Sequence, residues 1–190
     1  MAKQMGKYYL AIVPSGDIQE KATQLKYEVR ERFNAKYALK SPAHVTLKMP
    51  FRWNESKEDK LKMKLSQFFK EQQPFQLVFK GIGRFGRRVI YIRVEQQPLL
   101  LELQDRLSQF CKRELKLIQE FSDTSYHPHM TLTHKDLKDS LFDDCLAYLK
   151  EKGFYEGVEV GEIALLKRGE KKWAVIAYFQ LGKEEGAEVN

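Results

Sequence analysis

The sequence predicts an α+β fold in which two similar lobes share a central cleft, each lobe a mixed or antiparallel sheet with helices on its outer face. Three observations predict it. Strand-like and helix-like periodicities alternate along the 190 residues, several strands are joined by tight turns, and the order strand, helix, strand, helix, strand occurs twice.

The first unit opens with "KYYLAIVPSGD", a β-prone run ended by turn residues, followed by Ile18, Ala22, Leu25, Val29 and Phe33 at helical spacing. After a polar stretch, "SPAHVTLKMPF" (Ser41 to Phe51) alternates as a strand. Leu61, Leu65, Phe68 and Phe69 then mark a second helix, and "FQLVFKGI" a third strand. The second unit begins with "RRVIYIRVEQQP" and continues through Leu99, Leu103, Leu107 and Phe110 on a helix. "YHPHMTLTH" (Tyr126 to His134) is its next strand, and Leu137, Leu141, Cys145 and Leu149 form another helix. "GVEVGEIALLKRG" and "KKWAVIAYFQLG" read as two closing strands. The join "KGIGRFGRRVIYIR" reads as a continuous hairpin, so the chain is expected to be one bilobal domain, with lobes near 7–82 and 86–182 and a flexible acidic tail over 183–190.

The 43% apolar content suits a globular chain, and 33 Lys plus Arg against 26 Asp plus Glu give a net charge of +7 that favours phosphate-bearing ligands. The apolar run Tyr8 to Val13 is too short for a signal segment, and no run approaches the ~20 residues of a membrane-spanning helix. Cys111 and Cys145 fall in amphipathic segments and are expected to be reduced core thiols, which predicts a cytoplasmic protein.

The chain has only four histidines, and two of them begin the same word, His-x-Thr-Leu, at His44 and 85 residues later at His129. Successive strand residues alternate faces, so His44, Thr46 and Lys48 are expected on one face and Val45, Leu47 and Met49 on the other. His129, Thr131 and Thr133 share a face in the same way. A pseudo-twofold axis relating the units would bring both words to one cleft. Two imidazoles facing each other make an acid/base pair near neutral pH, one drawing a proton from water while the other protonates a departing sugar oxygen. The Thr46 and Thr131 hydroxyls would bond the non-bridging phosphate oxygens, and Lys48 would add a point charge. This chemistry needs neither metal nor cofactor.

These residues resemble the 2H phosphoesterase superfamily, whose signature is two His-x-Thr/Ser-x words about this far apart. "GIGRFGRRVIYIRVE" (Gly81 to Glu95) is similar to the segment between the words in the bacterial branch of 2′-5′ RNA ligases, or RNA 2′,3′-cyclic phosphodiesterases, and the likeness runs from about Tyr8 to Gly182. The resemblance implies a bilobal fold and metal-independent cleavage of cyclic phosphate or 2′-5′ linkages. It makes His44 and His129 catalytic and Thr46 and Thr131 phosphate-binding, with His129 as base toward water and His44 as acid toward the leaving oxygen. One departure is His134, where bacterial relatives often carry arginine, and this bears on substrate preference.

Other residues carry two readings. Lys48 is a phosphate contact or a solvated strand residue; Thr133 reads as β-propensity. His127, fixed by Pro128, lies behind the site or is exposed, and His134, on the opposite parity, belongs to the surface or core edge. No carboxylate or cysteine stands at zinc-ligand spacing near either word, so no metal is expected. Arg84, Phe85 and Arg87 at the predicted hairpin tip are candidates to track an RNA backbone or stack a base, against the alternative of a solvated turn. Tyr126 either flanks a nucleobase or packs. The expected partner is RNA or a nucleotide with a cyclic phosphate, bound by a monomer; the competing function is an RNA or nucleotide binder without catalysis.

Overall fold

The computed structural model describes residues 4–182, so the acidic tail over 183–190 lies outside the described residues. The strands are β1 (Met5–Ile12), β2 (Val45–Asn54), β3 (Phe75–Phe85), β4 (Val89–Val94), β5 (His129–Thr131), β6 (Tyr155–Val160), β7 (Glu162–Arg168) and β8 (Trp173–Gln180). The helices are α1 (Gly16–Phe33), α2 (Glu58–Phe69), α3 (Pro98–Arg113), the short α4 (Phe121–Thr124) and α5 (Phe142–Lys152). Local chemistry sets several boundaries. Asn34 ends α1 in the left-handed region (φ 54°), its N–H donating to the Arg30 carbonyl, while Pro98 opens α3 where its missing N–H costs nothing.

The strands form one antiparallel sheet in the order β6-β3-β4-β5-β2-β1-β7-β8. This order is symmetric about its centre: β2 and β5 are flanked by β1 and β4, then by β7 and β3, then by β8 and β6. The centre is narrow, because β2 and β5 share a single registered pair, Val45 opposite Met130. Two lobes are therefore two four-stranded halves of one sheet rather than separate sheets. The halves also exchange strands: β3, in the sequence range of the expected first lobe, pairs with β4 and β6, while β7 and β8 complete the half that holds β1 and β2.

"GVEVGEIALLKRG" is not one strand. It breaks at Gly161 into β6 at one edge of the sheet and β7 next to the opposite edge. A flat sheet would separate positions one and seven by six strand spacings, ~29 Å, far beyond the reach of one intervening residue. The sheet must curl so that its ends meet, which turns the two halves toward each other.

Helices α1, α2, α3 and α5 cover one sheet face. Ile18, Ala22, Leu25 and Val29 of α1, Leu61 and Leu65 of α2, Leu100, Leu103 and Leu107 of α3 and Phe142 and Leu149 of α5 bury against Val45, Leu47, Phe79, Ile92 and Met130 in one core. Cys111 and Cys145 are buried and unpaired in it, and burial pushes each thiol up to about 12. The other face carries a small cluster of Tyr9, Ala11, Ala164 and Leu166, with Trp173 packed on it, and the two histidine words.

Candidate active site

Because Val45 and Met130 face each other in an antiparallel pair, His44 lies across from Thr131 and Thr46 across from His129. Val45 and Met130 are fully buried, so their four neighbours turn to the opposite face, where all four are half-buried. The result is a square of two imidazoles and two hydroxyls, with the histidines on one diagonal. Diagonal neighbours of this kind stand ~7–8 Å apart at the backbone, which leaves room between the rings for a phosphoryl group.

Both rings are oriented by the same device. His44 Nδ1–H donates to the Pro42 carbonyl at 2.8 Å, and His129 Nδ1–H donates to the His127 carbonyl at 2.7 Å. A carbonyl only accepts, so Nδ1 carries the proton in each neutral ring and Nε2 is left with its lone pair for proton exchange. His44, Thr46, His129 and Thr131 line one cavity of ≈ 350 Å³. A second cavity of ≈ 280 Å³ shares Thr46, Met49 and His129 with it and extends past Phe85, Phe121 and Tyr126. A larger cavity, ≈ 710 Å³ between α1 and the segment Lys152 to Glu156, has no residue in common with either.

Electrostatics distinguish the two histidines. Burial lowers His44 to about 4, against its bond to Pro42, and the nearby Lys26 charge adds to the effect. Burial also lowers His129, against its bond to the His127 carbonyl, with a smaller lowering from the His127 side chain and none from a lysine. Both imidazoles are thus neutral near pH 7 in the free protein.

Lys48 does not join the square. The β1·β2 register slips between Tyr8 and Leu10 and again between Leu10 and Ala11, so Leu47 and Lys48 both turn inward and Met49 takes the cleft side. The Lys48 ammonium is buried against the Asp123 carboxylate and donates to the Ile118 carbonyl at 3.1 Å. Thr133 also leaves the cleft: β5 ends at Thr131, and the buried Thr133 hydroxyl accepts the Ile90 N–H at 2.9 Å. Its place reflects a specific bond rather than strand preference alone.

The hairpin tip divides. Phe85 packs edge-on against His129, ring centroids 4.9 Å apart, and against Tyr91 at 4.3 Å. Tyr91 reaches this position because its partner across the strands is Gly83, where a Cβ would come within 2.6 Å of the tyrosine ring. Arg84 is exposed beside the turn. Arg87 points away from the cleft and bridges Asp139 and Asp143 at the start of α5. Tyr126 lines the second cavity while its hydroxyl donates to the Thr46 carbonyl at 3.1 Å, tying the two words together. Exposed His127 approaches the Tyr91 hydroxyl at 3.3 Å, and His134 sits in the first cavity against Tyr37 at 4.8 Å.

Sequence reasoning missed Tyr9, Lys26 and Trp173, all of which line the first cavity. Tyr9 stands 5.0 Å from the His44 ring and 4.7 Å from that of Trp173. The strand alternation of "KYYLAIV" could have put Tyr9 on the cleft side; nothing local marks Lys26 or Trp173. Among the described residues no three His, Cys, Asp or Glu side chains gather as a metal site, and no helix is long and apolar enough to cross a membrane.

Two His-x-Thr words meeting about a local twofold on one sheet face define a two-histidine phosphoesterase. The chain belongs to the 2′-5′ RNA ligase superfamily, which it matches over residues 14–172. A protein of Bacillus mycoides provisionally named a phosphoesterase is 32% identical over 182 residues, covering 94% of this chain and 98% of that protein. A similarly named protein of Bacillus cytotoxicus is 33% identical over 180 residues, with 93% and 98% covered. The fold is that of E. coli LigT solved with 3′-AMP (TM-score 0.65, 20% identity, 94% of this chain and 99% of that one). It is equally that of TT0787 from Thermus thermophilus (TM-score 0.65, 17% identity, 94% and 99%).

Proposed function

We propose that the protein hydrolyses 2′,3′-cyclic phosphates at RNA or nucleotide ends by paired-histidine acid/base catalysis without a metal, with 2′-5′ ligation as the same ring opening by a 5′-hydroxyl in place of water. The observation that carries this reading is the shared orientation of the two rings: each Nδ1–H is held by the carbonyl two residues back, and each Nε2 is free in one cavity. One Nε2 takes a proton from water as its oxygen attacks phosphorus. The P–O bond to the 2′ or 3′ oxygen breaks, and the other Nε2–H protonates that oxygen, leaving a phosphomonoester. Thr46 and Thr131 donate to the non-bridging oxygens where charge accumulates.

The Lys26 charge beside His44 favours an order opposite to the one the resemblance implies. A bound phosphate anion raises both imidazoles, and His129, with no lysine beside it, takes the proton more readily. His129 is then the acid and His44 the base. Both words lie in one chain, which supports a monomeric enzyme, and two buried unpaired thiols support a reducing, cytoplasmic setting. The test is hydrolysis of nucleoside 2′,3′-cyclic phosphates in EDTA, with products resolved by phosphorus NMR. Unchanged substrate together with salt-sensitive binding would favour a non-catalytic nucleotide binder.

A further inference from the structure

Lys26 lies on α1, three per cent exposed, and is among the residues lining the cavity that holds both histidines. It donates to the carbonyls of Ala38 (3.1 Å) and Ser41 (3.2 Å), and an ammonium has a third donor to give. Among the described residues no carboxylate pairs with it, in contrast to Lys48, the other fully buried lysine, which has Asp123. A buried cation without a counter-ion is costly, and burial lowers Lys26 to about 8, so that it stays largely charged at neutral pH. Two residues lining the same cavity carry buried polar atoms that donate to no protein acceptor: the Tyr9 hydroxyl, on a residue three per cent exposed and with the Ser41 side chain as its polar neighbour, and His134 Nδ1.

This group sits to one side of the local twofold. In the second unit α3 buries Gln104 and Ser108, both neutral and both hydrogen-bonded within the protein. The Thr46 and Thr131 hydroxyls already stand on either side of the twofold for the reacting phosphate, so an off-axis cation on the His44 side answers to something the reacting phosphate does not supply. The cavity, at ≈ 350 Å³, falls in the ~300–1,000 Å³ range of nucleotide-sized and other small-molecule sites, far larger than one phosphoryl group needs.

Resting on the phosphodiesterase reading, we propose that Lys26 and the Tyr9 hydroxyl form an anion subsite for a second, non-scissile phosphate, the 5′-phosphate of the nucleotide whose 2′,3′-phosphate is opened. In an RNA end that 5′-phosphate is the preceding linkage; a free cyclic nucleoside phosphate lacks it. The subsite therefore selects polynucleotide ends, or 5′-phosphorylated nucleotides, over simple cyclic nucleotides. The phosphate supplies the counter-charge that Lys26 lacks and an acceptor for the Tyr9 O–H.

Calorimetric binding of adenosine 3′-monophosphate and adenosine 3′,5′-bisphosphate, which differ by this one phosphate, tests the subsite without relying on turnover. Wild-type protein is expected to bind the bisphosphate about tenfold or more tightly, the scale of a hydrogen bond to a charged group. Lys26→Met is expected to bind both ligands at the monophosphate's affinity. A Lys26 that only holds the Ala38 to Ser41 turn would weaken both ligands equally and overturn the subsite. Wild-type protein that binds the two alike, or binds neither, overturns it without any variant, so a Lys26→Met protein that fails to fold does not shield the idea. Hydrolysis of adenosine 2′,3′-cyclic phosphate with and without a 5′-phosphate separates the two readings. Turnover of both with no 5′-phosphate preference sinks the subsite alone, whereas a retained bisphosphate preference with no turnover of either sinks the phosphodiesterase reading alone.

Discussion

Lys48 of β2 is paired with Asp123 inside the protein, both side chains almost fully buried, and this pair joins the strand of the first histidine word to the segment that leads into the second. Asp123 also accepts the Glu120 N–H, closing the turn at the start of α4. Three residues on, the Tyr126 hydroxyl returns to the Thr46 carbonyl. The two words are thus held together by a charge pair below the cleft and a phenol beside it.

Removing either charge leaves the other buried and unpaired. Lys48→Met and Asp123→Asn are each expected to destabilise the fold by about 3–5 kcal/mol in denaturant unfolding. If Lys48 instead contacted phosphate, Asp123→Asn would leave stability intact and Lys48→Met would mainly raise KM.

In the proposed mechanism the histidine pair acts as a unit. His44→Ala and His129→Ala are each expected to lower kcat/KM for a cyclic phosphate by at least ~10²–10⁴, and the double variant to lose little more than the worse single one. Multiplicative losses, measured by steady-state kinetics on well-folded variants, would count against a concerted pair.

Protonation of His44 should be visible in stability. Its value falls from an ordinary ~6.5 to about 4 on folding, so below ~6.5 the unfolded chain binds the extra proton. The stabilisation from keeping this imidazole neutral is complete above ~6.5 and is lost as pH drops toward and through about 4. Between pH ~6.5 and ~5 few carboxylates of ordinary pKa interfere. In that window His44→Asn should flatten the dependence of the melting temperature on pH, and added phosphate should stabilise the wild type more at the lower end, because the bound anion favours imidazolium. Parallel melting curves for variant and wild type would contradict the assignment.

Phe85 and Arg87 are neighbours in sequence with opposite expected phenotypes. Phe85→Ala should raise KM for oligonucleotide ends by roughly 5- to 150-fold, the span of ~1–3 kcal/mol per stacked base, with a smaller effect on kcat. Arg87→Ala should leave both constants near wild type, since that guanidinium is engaged by Asp139 and Asp143. An equal KM effect from both would place the whole hairpin tip in the substrate path.

Much of this centre was legible in one dimension because strand alternation is a strict period of two. From "HVTLK" and "HMTLT" it follows that each histidine shares a face with the threonine two positions on, and the repeat brings the four side chains to one centre. What alternation hides is any residue that interrupts it. The register slips around Leu10 moved Lys48 from the cleft to the core, and the early end of β5 did the same for Thr133. Long-range pairing was equally hidden: nothing near Gly161 announces that the strands on its two sides belong to opposite ends of the sheet. Lys26 was missed for a third reason. A lysine in an amphipathic helix normally extends into water, and only the turn wrapped over it, from Ala38 to Ser41, encloses this one.

The exchange of β3 for β7 and β8 makes the two repeats mutually dependent for folding. Neither sequence half owns a finished hydrophobic layer, so a polypeptide cut in the turn at Gly86 would yield two pieces that acquire order only by reassembling. Contacts of such long sequence separation also predict slow acquisition of structure, since distant strands must meet before either half can close its layer.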